Sequence, residues 1–221
     1  MAKRILRRAG AARRGRVNEP ALMGGVVAFD FDGTLTVRDS FRAFLRWRAG
    51  WLKYVLGMAR LAPAALAYLV DRNRGRLKAA VVRQFLKGVP KAQLEADARR
   101  FAQQKATQML RPDAMRVWAE WREREAKLVI VTASPDILVA PFARGLAAHH
   151  LVATRLVFDD LGRVAGGLDG ANCRGPEKVR RLKEVFGEEL RLKAAYGDTA
   201  GDHEMLAIAE EKGYRVFNER P

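Results

Sequence analysis

Cysteine is nearly absent from the 221-residue chain: Cys173 stands alone, which excludes an internal disulfide framework and fits a reducing compartment. Histidine is scarce too. His149, His150 and His203 show no metal-ligand spacing with other residues and read as surface or helix positions. Internal repeats are missing. The first residues are basic but no apolar segment follows them, so no secretory signal is expected. A clean membrane span is lacking as well. Residues 51–70 include 16 apolar side chains, but Lys53, Arg60 and Pro63 interrupt them. A central arginine costs about 2.5–3.5 kcal/mol even on a lenient insertion scale. Strands of the core lie on both sides of this stretch, so a single site would need an even number of crossings. No second run of that length exists between Asp39 and Pro112. Residues 51–70 are therefore expected to pack within a helical lobe or to lie in a lipid interface.

Acid is scarce in one part of the chain only. The net charge of +16 divides into +6 on residues 1–20, −1 on 21–38, +12 on 39–112 and −1 on 113–221. All the excess sits on an N-terminal arm and on one inserted segment, and such segregation implies an anionic partner. An apolar share of 49% suffices for a core, and the length suits one α/β domain or a core with a modest inserted lobe.

What is present has the rhythm of a strand–helix alternation. A first strand is expected at Val26–Phe29, a second at 128–131, a third at 192–196 and a short fourth at 214–217. A hairpin over 152–170 turns at Asp159-Asp160-Leu161-Gly162, and a helix starts at Pro176. From about Asp39 to Arg111 only helical periods occur, such as Leu77, Val81, Phe85, and Pro112 is expected to end them. The expectation is an α/β fold with a mainly parallel sheet and helices on both faces. The expected division is a basic arm over 1–20, a catalytic core of 21–38 and 113–221, and a helical cap over 39–112.

The first strand ends in Asp30-Phe31-Asp32-Gly33-Thr34. On a strand, Asp30 and Asp32 share a face while Phe31 turns away. Two like charges side by side repel, which is a poor way to end a strand for stability alone. Such a pair at the carboxyl end of a buried strand suits a Mg²⁺ site with a carboxylate nucleophile. Asp30 is then the nucleophile and Asp32 the general acid and base. Thr132, after the second strand, offers a hydroxyl and nearby amides to phosphate. Lys178 offsets phosphoryl charge, and Asp198 and Asp202 in Gly-Asp-Thr-Ala-Gly-Asp complete the cation site. Taken singly, Asp198 or Asp202 could cap a helix, Lys178 could lie on a charged surface and Thr132 with Ser134 could form a turn. Together, in this order at strand ends, they point to phosphoryl transfer.

Phe-Asp-Phe-Asp-Gly-Thr-Leu-Thr, the Thr132 step, Lys178 and Gly-Asp-Thr-Ala-Gly-Asp resemble the four motifs of the haloacid dehalogenase-like phosphatases, across about residues 25–217. The resemblance implies a Rossmann-like core, Mg²⁺ bound by Asp30, Asp32, Asp198 and Asp202, and an aspartyl-phosphate on Asp30. Phosphate is then held by Gly33, Thr34, Thr132, Ala133 and Lys178. An insert directly after the first motif is similar to the C1-type cap of the phosphoserine phosphatase branch. There a glutamate commonly serves the substrate amine, and Asp39 holds the comparable place. The apolar, basic cap and Cys-Arg-Gly-Pro-Glu-Lys-Val (173–179) resemble the C-type phosphatidylglycerophosphatases. That finer likeness implies phosphatidylglycerophosphate as substrate, at the inner face of the cytoplasmic membrane, with no nucleic-acid partner. A soluble phosphatase of phosphoserine or a related metabolite is the alternative.

Overall fold

A computed structural model describes residues 24–221; the basic arm expected over 1–20 lies outside the described residues. In chain order the elements are β1 (Val26–Phe29), α1 (Ser40–Ala49), α2 (Trp51–Ala59), α3 (Ala62–Asp71), α4 (Arg74–Leu86) and α5 (Lys91–Lys105). They continue with α6 (Pro112–Glu123), β2 (Lys127–Pro135), α7 (Asp136–Gly145), β3 (His150–Phe158) and β4 (Val164–Asp169). The chain ends with α8 (Pro176–Phe186), β5 (Leu192–Gly197), α9 (His203–Ala207) and β6 (Ala209–Tyr214).

The six strands form one sheet in the order β4-β3-β2-β1-β5-β6, parallel except for the antiparallel β3–β4 pair. All four residues of β1 are buried, as a central parallel strand requires. Val27 and Phe29 join the core on one face, with Trp118 of α6 and Phe142 of α7. Val26 and Ala28 join the other, with Leu182 of α8 and Met205 and Leu206 of α9. The sheet is thus covered on both faces, as expected for this fold class.

Between β1 and α6 the described chain forms only helices and turns, α1–α5 with a short 3-10 turn at Ala106–Gln108. The entry and exit of this insert run side by side. Val37 N–H donates to Met109 O (2.8 Å) and Arg111 N–H to Leu35 O (2.9 Å). Further main-chain bonds, Gly88 N–H to Val164 O (2.8 Å) and Lys91 N–H to Gly162 O (2.8 Å), moor the insert to the β3–β4 hairpin. Residues 51–70 form α2 and α3, which meet at a 51° bend; no single helix among the described residues is long and apolar enough to cross a membrane. Tyr54 and Gly57 face inward, while Trp51, Leu52, Leu56, Leu66, Leu69 and Val70 are at least half exposed.

The helices of the insert stop before Pro112, as expected, and Pro112 itself opens α6, where at the first helical position its missing N–H costs nothing. One boundary differs from expectation. The last strand is Ala209–Tyr214, not 214–217. It is an edge strand carrying exposed Glu210, Glu211 and Lys212, charges that guard the open edge and erase the apolar signal.

Candidate active site

The site lies at the carboxyl ends of β1, β2 and β5, where the order of strand connection reverses on either side of β1. Asp30 is the first residue past β1, and its N–H donates to Tyr196 O of β5 (2.9 Å), which fixes the departing chain. Phe31 is fully buried and packs edge-on against Phe142, so its neighbours on either side face the cavity.

Lys178, in the first turn of α8, is 1% exposed and is the hub of the site. Its Nζ donates to Asp30 Oδ1 (2.5 Å), Asp202 Oδ1 (2.6 Å) and the main-chain oxygen of Val131 (2.7 Å). A buried ammonium has three donors, and all three are used. Burial works against its charge, yet Asp30 and Asp202 hold Lys178 above the usual lysine range. Burial also pushes the Asp30 carboxyl up to about 7, with Asp202 and Asp32 adding to the effect and Lys178 opposing it. Asp202 is held below the usual range in spite of burial, by Lys178 and by donors from Thr199.

Ligand atoms of Asp30, Asp198 and Asp202 lie within 4.8 Å of one another. The three differ in what is left to offer. Asp202 is engaged on both oxygens, by Lys178 and by the N–H groups of Asp198 (3.2 Å) and Thr199 (2.9 Å) and the Thr199 hydroxyl (3.0 Å). Among the described residues the Asp198 carboxylate and the second oxygen of Asp30 accept only from the Thr34 hydroxyl, at 3.5 Å. Burial raises the Asp198 pKa, and a bound cation would offset this. Hard carboxylate oxygens left without strong donors suit Mg²⁺.

Asp32 does not join this cluster. Its carboxylate accepts from the Ser134 hydroxyl (2.5 Å) and from Ser40 N–H (2.6 Å) at the start of α1, with the Thr132 hydroxyl at 3.4 Å. The Asp32 carboxylate thus lies outside the group formed by Asp30, Asp198 and Asp202, and Asp32 as a metal ligand stays an expectation. Beyond Phe29 the chain leaves the ladder, and the α1 N-terminus, which attracts negative charge, turns the carboxylate the other way. Burial raises the Asp32 pKa. Asp39 also differs in emphasis: it caps α1, accepting from Arg42 N–H (2.7 Å), while lining the cavity.

Gly33 makes the Asp30–Asp198 approach possible. Its φ is +92°, and a Cβ there would lie 2.2 Å from Asp198 Oδ2. Thr132 is fully buried and its hydroxyl accepts from Ser134 N–H (3.0 Å), which shapes the loop carrying Ala133.

Above these groups is a cavity of about 760 Å³ whose far wall comes from the insert. Phe41, Leu45, Tyr54, Met58, Tyr68, Leu77 and Val81 make it largely apolar, and Arg74, Lys78 and Arg174 add positive charge. Sequence reasoning assigned no site role to Ser134, Lys78 or Arg174. Lys78 donates to Ala133 O (2.5 Å) and Arg174 to the Thr199 hydroxyl (3.1 Å). Arg174 sits four residues before Lys178, a local hint; Lys78 gave none, since it lies in a run of similar cations.

The profile of the haloacid dehalogenase-like hydrolases matches residues 27–207. The chain is 64% identical over 204 residues to Protein CicA of Caulobacter vibrioides, spanning 92% of this chain and 90% of that one. It is 30% identical over 190 residues to a phosphoserine phosphatase of Halobacterium salinarum, spanning 83% and 82%. Among solved structures, a protein of unknown function from Bordetella pertussis Tohama I superposes with a TM-score of 0.69 at 23% identity, over 82% of this chain and 85% of that one. The last likeness is one of fold.

Proposed function

The chain belongs to the haloacid dehalogenase-like hydrolase family and is a phosphatase, and from that premise we propose that it acts through a covalent phosphate on Asp30. The observation that carries this is the buried Lys178 bonded at once to Asp30 and Asp202, with Asp198 in the same carboxylate cluster. An Asp30 oxygen attacks phosphorus as the bond to the leaving alcohol breaks, and Asp32 gives that alcohol its proton. Water then attacks the same phosphorus, Asp32 takes its proton, and the bond to Asp30 breaks to release phosphate. Ser134 and Ser40 hold the Asp32 carboxyl in place beside the cavity. Lys178 offsets charge on the phosphoryl oxygens, and Gly33, Thr34, Thr132 and Ala133 supply donors around them. Asp30 and Asp198, with Asp202 behind them, would hold Mg²⁺, which supplies charge neutralisation between an anionic nucleophile and an anionic ester. In this reading residues 21–38 and 113–221 are the catalytic core and 39–112 the cap.

For the substrate we favour a lipid phosphate, phosphatidylglycerophosphate being the specific candidate. The apolar, cationic cavity wall supports this, as do the exposed apolar faces of α2 and α3 at its mouth. Arg60 and Arg72, at the ends of α2 and α3, flank those faces and would each add about 1 kcal/mol of attraction to an anionic leaflet. The enzyme would then work peripherally, on the inner face of the cytoplasmic membrane. A phosphoserine-like metabolite is the second reading, favoured by the Halobacterium relative. The test is phosphate release with Mg²⁺ from phosphatidylglycerophosphate in anionic vesicles and from soluble phosphoserine. Release from phosphoserine alone would overturn the lipid reading, and turnover retained by Asp30→Asn would overturn the nucleophile.

A further inference from the structure

A second concave site lies on the outer side of α1. It has a volume of about 710 Å³ and is separated from the active-site cavity by a wall that both share, Asp39, Arg42 and Tyr54. Four cations line it: Arg38, Arg42, Arg46 and Lys105. No ion pair involving any of them occurs among the described residues. The one carboxylate present, Asp39, points an oxygen at Arg42 N–H (2.7 Å) to cap the helix. Arg42 and Arg46 stand one helical turn apart, a like-charge spacing that costs an isolated helix about 0.2–0.5 kcal/mol.

The cations are also held in place. Arg42 Nε donates to the Tyr54 hydroxyl (3.2 Å) and Arg38 to Gln108 O (3.1 Å), and the Arg46 guanidinium lies 5.0 Å from the centre of the Trp51 ring. Each guanidinium keeps most of its five donors unspent. Arginines on a flat helix face would be unremarkable; four anchored cations facing a single carboxylate, Asp39, around an aromatic-lined concavity are a built anion site. We propose that this pocket binds a phosphate-bearing anion, carried either by a free phosphorylated molecule or by a phospholipid headgroup, beside and apart from the catalytic cavity. It stands independently of which ester is hydrolysed. Its occupant would press on the Arg42–Tyr54 wall and so touch the substrate cavity from behind.

The chain's four tryptophans make the site readable: Trp47 and Trp51 line it, whereas Trp118 and Trp121 are buried in the core. The full-length protein would be titrated with inorganic pyrophosphate, and separately with phosphatidylcholine vesicles with and without one-fifth phosphatidylglycerol, while tryptophan emission is followed. Saturable change with pyrophosphate assigns the site to free anions; change with anionic vesicles alone assigns it to a headgroup. In either case Arg46→Ala/Lys105→Ala should bind at least tenfold more weakly, with turnover of p-nitrophenyl phosphate unchanged as evidence of an intact fold. Lys87→Ala/Arg99→Ala, which removes two exposed cations outside the pocket and away from α2 and α3, should keep most of the binding. No response to either probe, equal binding by the pocket variant, or equal loss in both double variants would overturn the proposal.

Discussion

The side-chain amine of Lys78, on α4, donates to the main-chain oxygen of Ala133 at the end of β2 over 2.5 Å, fastening the helical insert to the floor of the cavity. Burial is the main reason its pKa falls from 10.5 to about 8. The unfolded chain keeps this proton to its ordinary pKa, so between about pH 8 and 10.5 it binds more protons than the native state, and stability rises with pH through that window. Lys78→Met lacks that rise. Urea unfolding across the window should show wild type gaining about 2–3 kcal/mol on the variant; a constant difference would mean the amine titrates normally. Below pH 8 the variant should raise KM for the substrate severalfold more than it lowers kcat, since a tie between insert and core is lost but no reacting group is.

Gly33→Ala should leave the protein folded and nearly inactive. A φ of +92° is strained for alanine, at a cost of about 1–3 kcal/mol, and the new Cβ would stand 2.2 Å from Asp198 Oδ2. Asp198 has to withdraw, which spreads the carboxylates. Thermal unfolding should report the modest loss and Mg²⁺-dependent hydrolysis of p-nitrophenyl phosphate a drop of a hundredfold or more. Near-normal turnover would show that the close approach of the two chain segments is not needed.

Phe31 lies between Asp30 and Asp32 in sequence and is wholly buried against Phe142. Phe31→Ala removes a large core side chain and should cost about 3–5 kcal/mol, read as a shift in the urea midpoint. A loss under 1 kcal/mol would mean the site can collapse around the gap.

Cys173 is fully buried, and burial pushes its thiol up to about 11. At pH 8 only about one native molecule in a thousand then carries thiolate. A disulfide reagent should react with native protein at least a hundredfold more slowly than with protein in urea, where one thiol per chain appears. Rapid reaction of the native form would place Cys173 at an opening of the fold.

Much of this was legible along the chain. β1 was readable because Val-Val-Ala-Phe is continuously apolar and stops at two aspartates, and Lys178 because Pro176 announces the helix start beneath it. The β3–β4 hairpin was marked by its Asp-Asp-Leu-Gly turn. Pro112 marked the end of the insert's helices, but that the next helix starts on it is seen only beside the paired backbone of Leu35–Arg111 and Val37–Met109. β6 was missed because an edge strand is selected for charge instead of apolar alternation. Lys78 was hidden among Arg72, Arg74 and Arg76, cations of the same sign, of which Arg74 also lines the cavity.

The sequence by itself determined the sheet's central strand, the pair of carboxylates at its end and the segregation of positive charge onto the insert, because apolar runs and side-chain identity are local properties. Tertiary structure alone decided what each charge faces. Asp30 and Asp202 converge on one buried ammonium from segments more than 170 residues apart. Asp32, two residues from Asp30, turns instead to Ser40 and Ser134. The basic segment, uniform along the chain, splits into a lysine that ties the insert to the cavity floor and arginines that line a separate pocket. Electrostatics in a protein depends on distance and burial, and neither is written in the order of residues.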